Sequence, residues 1–220
     1  MPEHLELQIT EDGSPTLYSR EFHECYHSTR GALSESRHIC VDNGLAALSY
    51  EPQIRILEYG FGLGMNLWVA AQWAMQNARA VDYTTLELYP VPSEIVSLVS
   101  CFESSEVEKI WREAHKVPWE IKCTLSHQIA LTKLCIDFMQ YTPPVNTFHI
   151  VFFDAFSPLR VPEQWDSSLF ARIFDALLPG GRLVTYSASG NVKQALRKAG
   201  FQVQRRPGAL GKHHMLVAEK

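Results

Sequence analysis

Four acidic residues and one glycine-rich turn carry the chemistry legible in this chain. Glu58 opens the run Glu58-Tyr59-Gly60-Phe61-Gly62-Leu63-Gly64, and Asn66 follows just beyond it. Small residues at Gly60, Gly62 and Gly64 let backbone N–H groups approach a ligand closely, and a helix starting behind them adds positive potential. A dinucleotide site asks for G-x-G-x-x-G, which puts its third glycine at position 65, where Met65 stands. That spacing weakens a nicotinamide-dependent oxidoreductase. Glu87 and Asp137 fall at the expected ends of two further strands, where a carboxylate accepts from ligand hydroxyl or amino groups or simply caps the next helix. Asp154 opens Asp154-Ala155-Phe156-Ser157-Pro158 after an apolar run. Its carboxylate could hold a nucleophilic amine by hydrogen bonds and take up its proton, with Phe156 packing on a substrate ring and Pro158 stiffening the turn. The plainer reading makes Asp154 a helix cap or a turn residue.

Strands and helices have to bring these residues together. Ile54 to Glu58 reads as a short apolar strand running into the glycine turn, and Asn66 to Ala78 carries apolar residues at helical spacing. Strands are expected at 83–87, 132–136, 148–153, 182–186, 201–206 and 214–218. Helices are expected at 92–115, 167–178 (stopped by Pro179-Gly180-Gly181) and 190–200. Such alternation implies an α/β, doubly wound, mostly parallel sheet covered on both faces, with ligands beyond the carboxyl ends of its strands. The first 50 residues differ. Leu5 to Ile9 alternates with period two, Asp12-Gly13 signals a turn and Thr16 to Tyr18 returns, so residues 1–50 read as a β-hairpin extension on a main domain of residues 51–220.

An acid followed by G-x-G-x-G resembles the S-adenosylmethionine methyltransferases, whose sheet is of this Rossmann-like type. The resemblance implies a donor made of an amino acid, a ribose and an adenine. Glu58 would meet its ammonium group directly or through water, Glu87 both ribose hydroxyls and Asp137 the adenine amino group.

Composition excludes several other classes. No apolar run approaches the roughly 20 residues of a membrane span, and Met1-Pro2-Glu3-His4 lacks the start of a signal peptide. Cys25, Cys40, Cys101, Cys123 and Cys135 form no C-x-x-C pair, and their odd number argues against a disulfide framework. The expectation is a soluble, reduced, cytoplasmic protein. Its net charge of −4 is unevenly spread: from Arg182 onward eight Lys and Arg face the single acid Glu219, giving +7 against −11 for the rest. A basic segment of this kind attracts a polyanion or is a solvated surface.

Beyond the donor turn, the chain resembles the bacterial methyltransferases that complete 5-methylaminomethyl-2-thiouridine in tRNA. The resemblance rests on Asp154-Ala155-Phe156-Ser157-Pro158, Pro162-Glu163-Gln164-Trp165, Leu169-Phe170, Pro179-Gly180-Gly181 and Gly200-Phe201. Asp12-Gly13-Ser14, Tyr26-His27-Ser28, Glu35-Ser36-Arg37, Asn43-Gly44-Leu45 and the turn through Met65-Asn66 extend it over nearly the whole chain. In many bacteria this domain is fused to a flavin-dependent oxidoreductase, and this chain resembles the stand-alone form. The resemblance implies methylation of 5-aminomethyl-(2-thio)uridine at the tRNA wobble position, with Asp154 and Phe156 at the reacting amine. Glu58, Gly60, Gly62, Gly64, Asn66, Glu87 and Asp137 would hold the donor. Tyr26 and Glu35 would close the uridine pocket. Arg37, Lys193, Arg197, Arg205, Arg206 and Lys212 would meet phosphates of the anticodon stem-loop. The chain departs from the family pattern at Val192-Lys193-Gln194, Lys212-His213-His214-Met215 and Ile136. His213 and His214, being adjacent, point to opposite faces of a strand, so no metal is expected. A methyltransferase acting on a free small amine and a non-catalytic RNA-binding relic are the alternatives left open.

Overall fold

The computed structural model describes residues 4–99 and 105–220. Strands β1 (Leu5–Ile9) and β2 (Pro15–Ser19) form the expected hairpin, and a two-residue β3 (Glu24–Cys25) adds a third antiparallel strand. The Asp12 carboxylate at the hairpin turn accepts from the Ser34 amide and hydroxyl, at 3.0 and 2.7 Å, and so ties the turn to α1 (Ala32–Ser36). A π-helical turn over Arg37–Asp42 and a 3-10 turn over Leu45–Leu48 follow. Leu33, Ile39, Cys40, Leu45 and Leu48 from this segment join the main core, which gives the marginal extension its stability.

Eight strands make the main sheet. They are β4 (Gln53–Tyr59), β5 (Ala80–Leu86), β6 (Cys123–Thr124), β7 (Ile129–Leu134), β8 (Phe148–Phe153), β9 (Leu177–Thr185), β10 (Gln202–Pro207) and β11 (His214–Glu219). Their order is β10-β11-β9-β8-β4-β5-β7-β6. The five central strands, β9 to β7, are mutually parallel, and antiparallel pairings add β11, β10 and β6. The chain winds outward from β4 to β7 and then returns to β8 on the other side of β4, so the switch point lies between β4 and β8. Their register pairs Tyr59 with Phe153, which brings Gly60 and Asp154 out of the sheet side by side.

Helices α2 (Met65–Asn77), α3 (Ser93–Leu98) and α4 (Ser105–Lys116) belong to one half of the chain, α5 (Ser167–Ala176) and α6 (Gly190–Lys198) to the other. Period-two alternation splits β4 between two cores: Ile54 and Ile56 pack with α2 and α4, Leu57 and Tyr59 with α5 and α6. The single helix expected over 92–115 is two, and residues 100–104 between them lie outside the described residues, as does Cys101. The four described cysteines are free. Pro179-Gly180-Gly181 is not a loop ahead of a strand at 182. It is an irregularity inside β9, where pairing to β8 jumps from Leu177 to Arg182 because buried Leu177 already belongs to the sheet. Phe170 is wholly buried, with edge contacts to Phe153 and Trp165 at 5.1 and 6.4 Å between ring centres. Phe170→Ala is expected to destabilise the fold by about 3–5 kcal/mol, read as a lowered urea midpoint.

Candidate active site

A cavity of about 610 Å3 opens at the carboxyl ends of β4, β5 and β8. Its floor is the glycine turn. Gly60 has φ +96°, and a Cβ there would stand 2.7 Å from the Asp154 carbonyl oxygen; Gly62 has φ +50°, and a Cβ there would stand 2.8 Å from the Tyr26 ring. Both positions therefore exclude a side chain. Helix α2 follows its N-cap Gly64, which has no side chain to cap the first amides.

Glu87 leaves the end of β5 and accepts from the Gly62 amide at 3.0 Å and the Tyr89 amide at 2.9 Å. Burial pushes its carboxyl up, against the pull of these donors. Each oxygen keeps a second lone pair, so the pair can still receive two hydroxyls. Asp137 stands three residues past the observed end of β7, in a turn where its Oδ1 accepts from the Met139 amide at 2.9 Å. Glu87 and Asp137 both line the cavity.

Asp154 follows β8 directly, and its side chain is 19% exposed. Its Oδ2 accepts from Asn66 Nδ2 at 2.8 Å, while Asn66 Oδ1 takes the Cys40 thiol at 3.4 Å. His27 Nε2 lies 3.4 Å from the same Oδ2, a charge contact rather than an aligned hydrogen bond. Phe156 stacks on Phe22 with centres 4.2 Å apart and meets Tyr26 edge-on at 5.2 Å. Four contacts hold this loop. Glu24 Oε2 accepts from the Ser157 amide at 3.0 Å, Trp165 Nε1 donates to the Phe156 carbonyl at 2.8 Å, the Tyr186 hydroxyl donates to the Ala155 carbonyl at 2.9 Å, and Arg160 Nη2 donates to the His23 carbonyl at 3.3 Å.

Gly60, Gly62, Glu87, Asp137, Asp154, Phe156, Tyr26, Glu35 and Lys212 thus share one cavity. Other expected site residues stand elsewhere. Glu58 lies beneath the floor, wholly buried, and accepts from Thr85 Oγ1 at 2.6 Å. Gly64 packs against Phe61 and Trp111, and Asn66 serves Asp154 rather than the cavity wall. Glu35 and Lys212 form an ion pair, with the ammonium 5.3 Å from the Tyr186 ring centre and the other Glu35 oxygen accepting from the Ser28 amide at 2.8 Å. Arg37 donates to Gln72 Oε1 at 2.8 Å and lines a separate surface depression with Asp42 and Trp73. Lys193, Arg197, Arg205 and Arg206 lie on α6 and β10, away from the cavity. The Arg197 and Arg205 guanidiniums push the Lys193 ammonium down from its ordinary value, so these three form one positive patch.

Phe22, Glu24, His27 and Tyr186 carried no role in the sequence. His27 was visible inside Tyr26-His27-Ser28, but Phe22 precedes and Glu24 opens a strand too short to show any period. Among the described residues no group of three or more His, Cys, Asp or Glu is placed to hold a metal ion, and no helix is long and apolar enough to cross a membrane.

A family profile described as S-adenosyl-L-methionine-dependent methyltransferase matches residues 103–220. The chain belongs to that family, and its methyl donor is S-adenosyl-L-methionine. The chain is also similar to proteins named MnmC. The tRNA 5-methylaminomethyl-2-thiouridine biosynthesis bifunctional protein MnmC of Cupriavidus necator is 31% identical over 223 residues, covering 96% of this chain and 33% of that protein. The chain therefore spans about a third of the length of such relatives. MNMC2 from Aquifex aeolicus superposes with a TM-score of 0.76 at 29% identity, over 99% of this chain and 71% of that one. Spermidine synthase from Thermotoga maritima, at 10% identity and a TM-score of 0.59 over 98% of this chain and 68% of its own, shares the fold alone. The cavity fits the donor: two glycines clear its floor, and the Glu87 and Asp137 carboxylates line it.

Burial, opposed by the Thr85 hydrogen bond, pushes the Glu58 carboxyl from its ordinary 4.5 up to about 8. The folded state then keeps a proton that the unfolded chain releases, so stability falls as pH rises from 4.5 to about 8. Glu58→Gln is expected to flatten stability across that window, measured as urea midpoint against pH.

Proposed function

We propose that the chain methylates the primary amine of 5-aminomethyl-(2-thio)uridine at the tRNA wobble position, forming 5-methylaminomethyl-(2-thio)uridine. One observation carries this reading: a carboxylate, Asp154, shares a cavity with the glycine turn and with a wall of aromatic rings. An attacking amine must be neutral, which calls for a hydrogen-bond acceptor and base within reach. Asn66 fixes Asp154 Oδ2, which turns the second oxygen to that task. Phe156, backed by Phe22 and edged by Tyr26, offers a flat apolar face to a pyrimidine, and such a face offsets the cost of taking a base out of its stack. Gly60, Gly62, Glu87 and Asp137 hold the donor in this reading. When bound, S-adenosyl-L-methionine supplies an electrophilic methyl group. What the protein adds is mainly orientation. Lys193, Arg197, Arg205 and Arg206 serve RNA phosphates, a sequence-independent attraction that salt weakens.

Labelled S-adenosyl-L-methionine with bulk tRNA from a strain lacking the final methylation is expected to place label in 5-methylaminomethyl-(2-thio)uridine on nucleoside analysis. Donor binding with no label in tRNA contradicts the substrate and points to a small amine. Asp154→Ala is expected to lower transfer by about a thousandfold or more while donor binding stays nearly intact; loss of both makes the residue structural. Lys193→Ala with Arg197→Ala is expected to raise KM for tRNA without changing kcat. Each lost phosphate contact should flatten the dependence of log affinity on log salt by about 0.9.

A further inference from the structure

His27 is built into the site without a partner that explains it. Its backbone amide donates to Thr16 Oγ1 at 3.1 Å, which fixes the residue just beyond β3. The ring is 6% exposed, and neither of its nitrogens has an aligned hydrogen-bond partner. Its Nε2 lies 3.4 Å from Asp154 Oδ2. Beside it is a second cavity of about 10 Å3, lined among others by Asp154, Asn66, Glu35, Ser36 and Cys40. That is room for about one water. The Ser36 hydroxyl there is likewise buried without a partner. Buried polar groups of this kind are costly unless satisfied, so a cluster of them behind a reacting carboxylate marks either a water site or a proton path.

We propose that His27 is a positioning residue that receives, through Asp154, the proton released by the substrate amine, with one water in the small cavity joining it to Ser36. The inference rests on the amine-methylation reading. The step balances. The ammonium N–H bond breaks and its electrons stay on nitrogen as the attacking pair; the proton passes to the Asp154 carboxylate and then to His27 Nε2. The imidazolium so formed later gives its proton to bulk water.

The surroundings suit that role. Asp154 and Glu35 face the ring with negative charge and Lys212 with positive charge. Cys40, its thiol pushed up by burial, and Tyr186, its hydroxyl also pushed up by burial, stay neutral. Burial lowers the imidazole's affinity for a proton, but Asp154 and Glu35 outweigh it and hold the ring above its ordinary range. An imidazole held above its ordinary range takes up a proton more readily, and below its midpoint it is already occupied.

Two measurements test this. Histidine NMR titration of the unsubstituted protein and of Asp154→Asn is expected to show a His27 midpoint above the ordinary imidazole range that falls when Asp154 is neutralised. An unmoved midpoint overturns the proposal, and this arm stands even if His27 variants fail to fold. With hypomodified tRNA, His27→Gln is expected to keep donor binding and KM while kcat drops about a hundredfold and the acid limb of its pH profile shifts. A His27→Gln profile matching that of the unsubstituted protein overturns the proposal. A coupled titration in a protein that methylates no tRNA supports the His27–Asp154 pair and counts against the substrate alone.

Discussion

Gly60 and Asp154 leave neighbouring parallel strands at the same level, and the missing side chain of Gly60 is what lets them do so. A Cβ at Gly60 would meet the Asp154 carbonyl at 2.7 Å, inside any tolerable contact. Because β4 and β8 flank the switch point, this single close approach puts the glycine turn beside the Asp154 carboxylate at the mouth of the cavity. The remaining supports refine it. Asn66, the second residue of α2, reaches back to Asp154, so the helix that follows the glycine turn also orients the carboxylate just past the neighbouring strand β8.

A parallel sheet leaves the carboxyl ends of its strands open, and here the N-terminal three-stranded sheet closes them. Phe22 and Glu24 clamp the loop from Asp154 to Ser157, one by ring stacking and the other by accepting an amide, while Tyr26 covers Gly62. Charge is sorted along with shape. Glu21, Glu24, Glu35, Glu87, Asp137 and Asp154 line the cavity with Lys212. That lining suits a ligand bearing ammonium and sulfonium charge. The positive cluster on α6 and β10 lies outside it, so the two signs of charge occupy separate surfaces.

Much of this frame was legible because it obeys simple periods. The apolar run at β8, the helical spacing of α2 and the turn through Gly64 all appear where sequence places them. The position of Glu58 was also available in principle. In a strand of period two it shares a face with Ile54 and Ile56, which are core, so it points under the floor rather than into the cavity. Other features left no local trace. β3 is too short for any pattern, the irregularity in β9 is enforced by its pairing with β8, and the partners of Ser157 and Lys212 are distant in the chain. Such contacts are tertiary facts. The Lys212–Glu35 ion pair, 177 positions apart in the chain, is one of them.

The most direct test of this arrangement is a crystal structure of the protein with S-adenosylhomocysteine. The account expects the ribose at Glu87, the adenine near Asp137 and the sulfur turned toward Asp154, with Asn66 still holding Oδ2. A ligand seated outside the 610 Å3 cavity, or a sulfur turned away from Asp154, would contradict it.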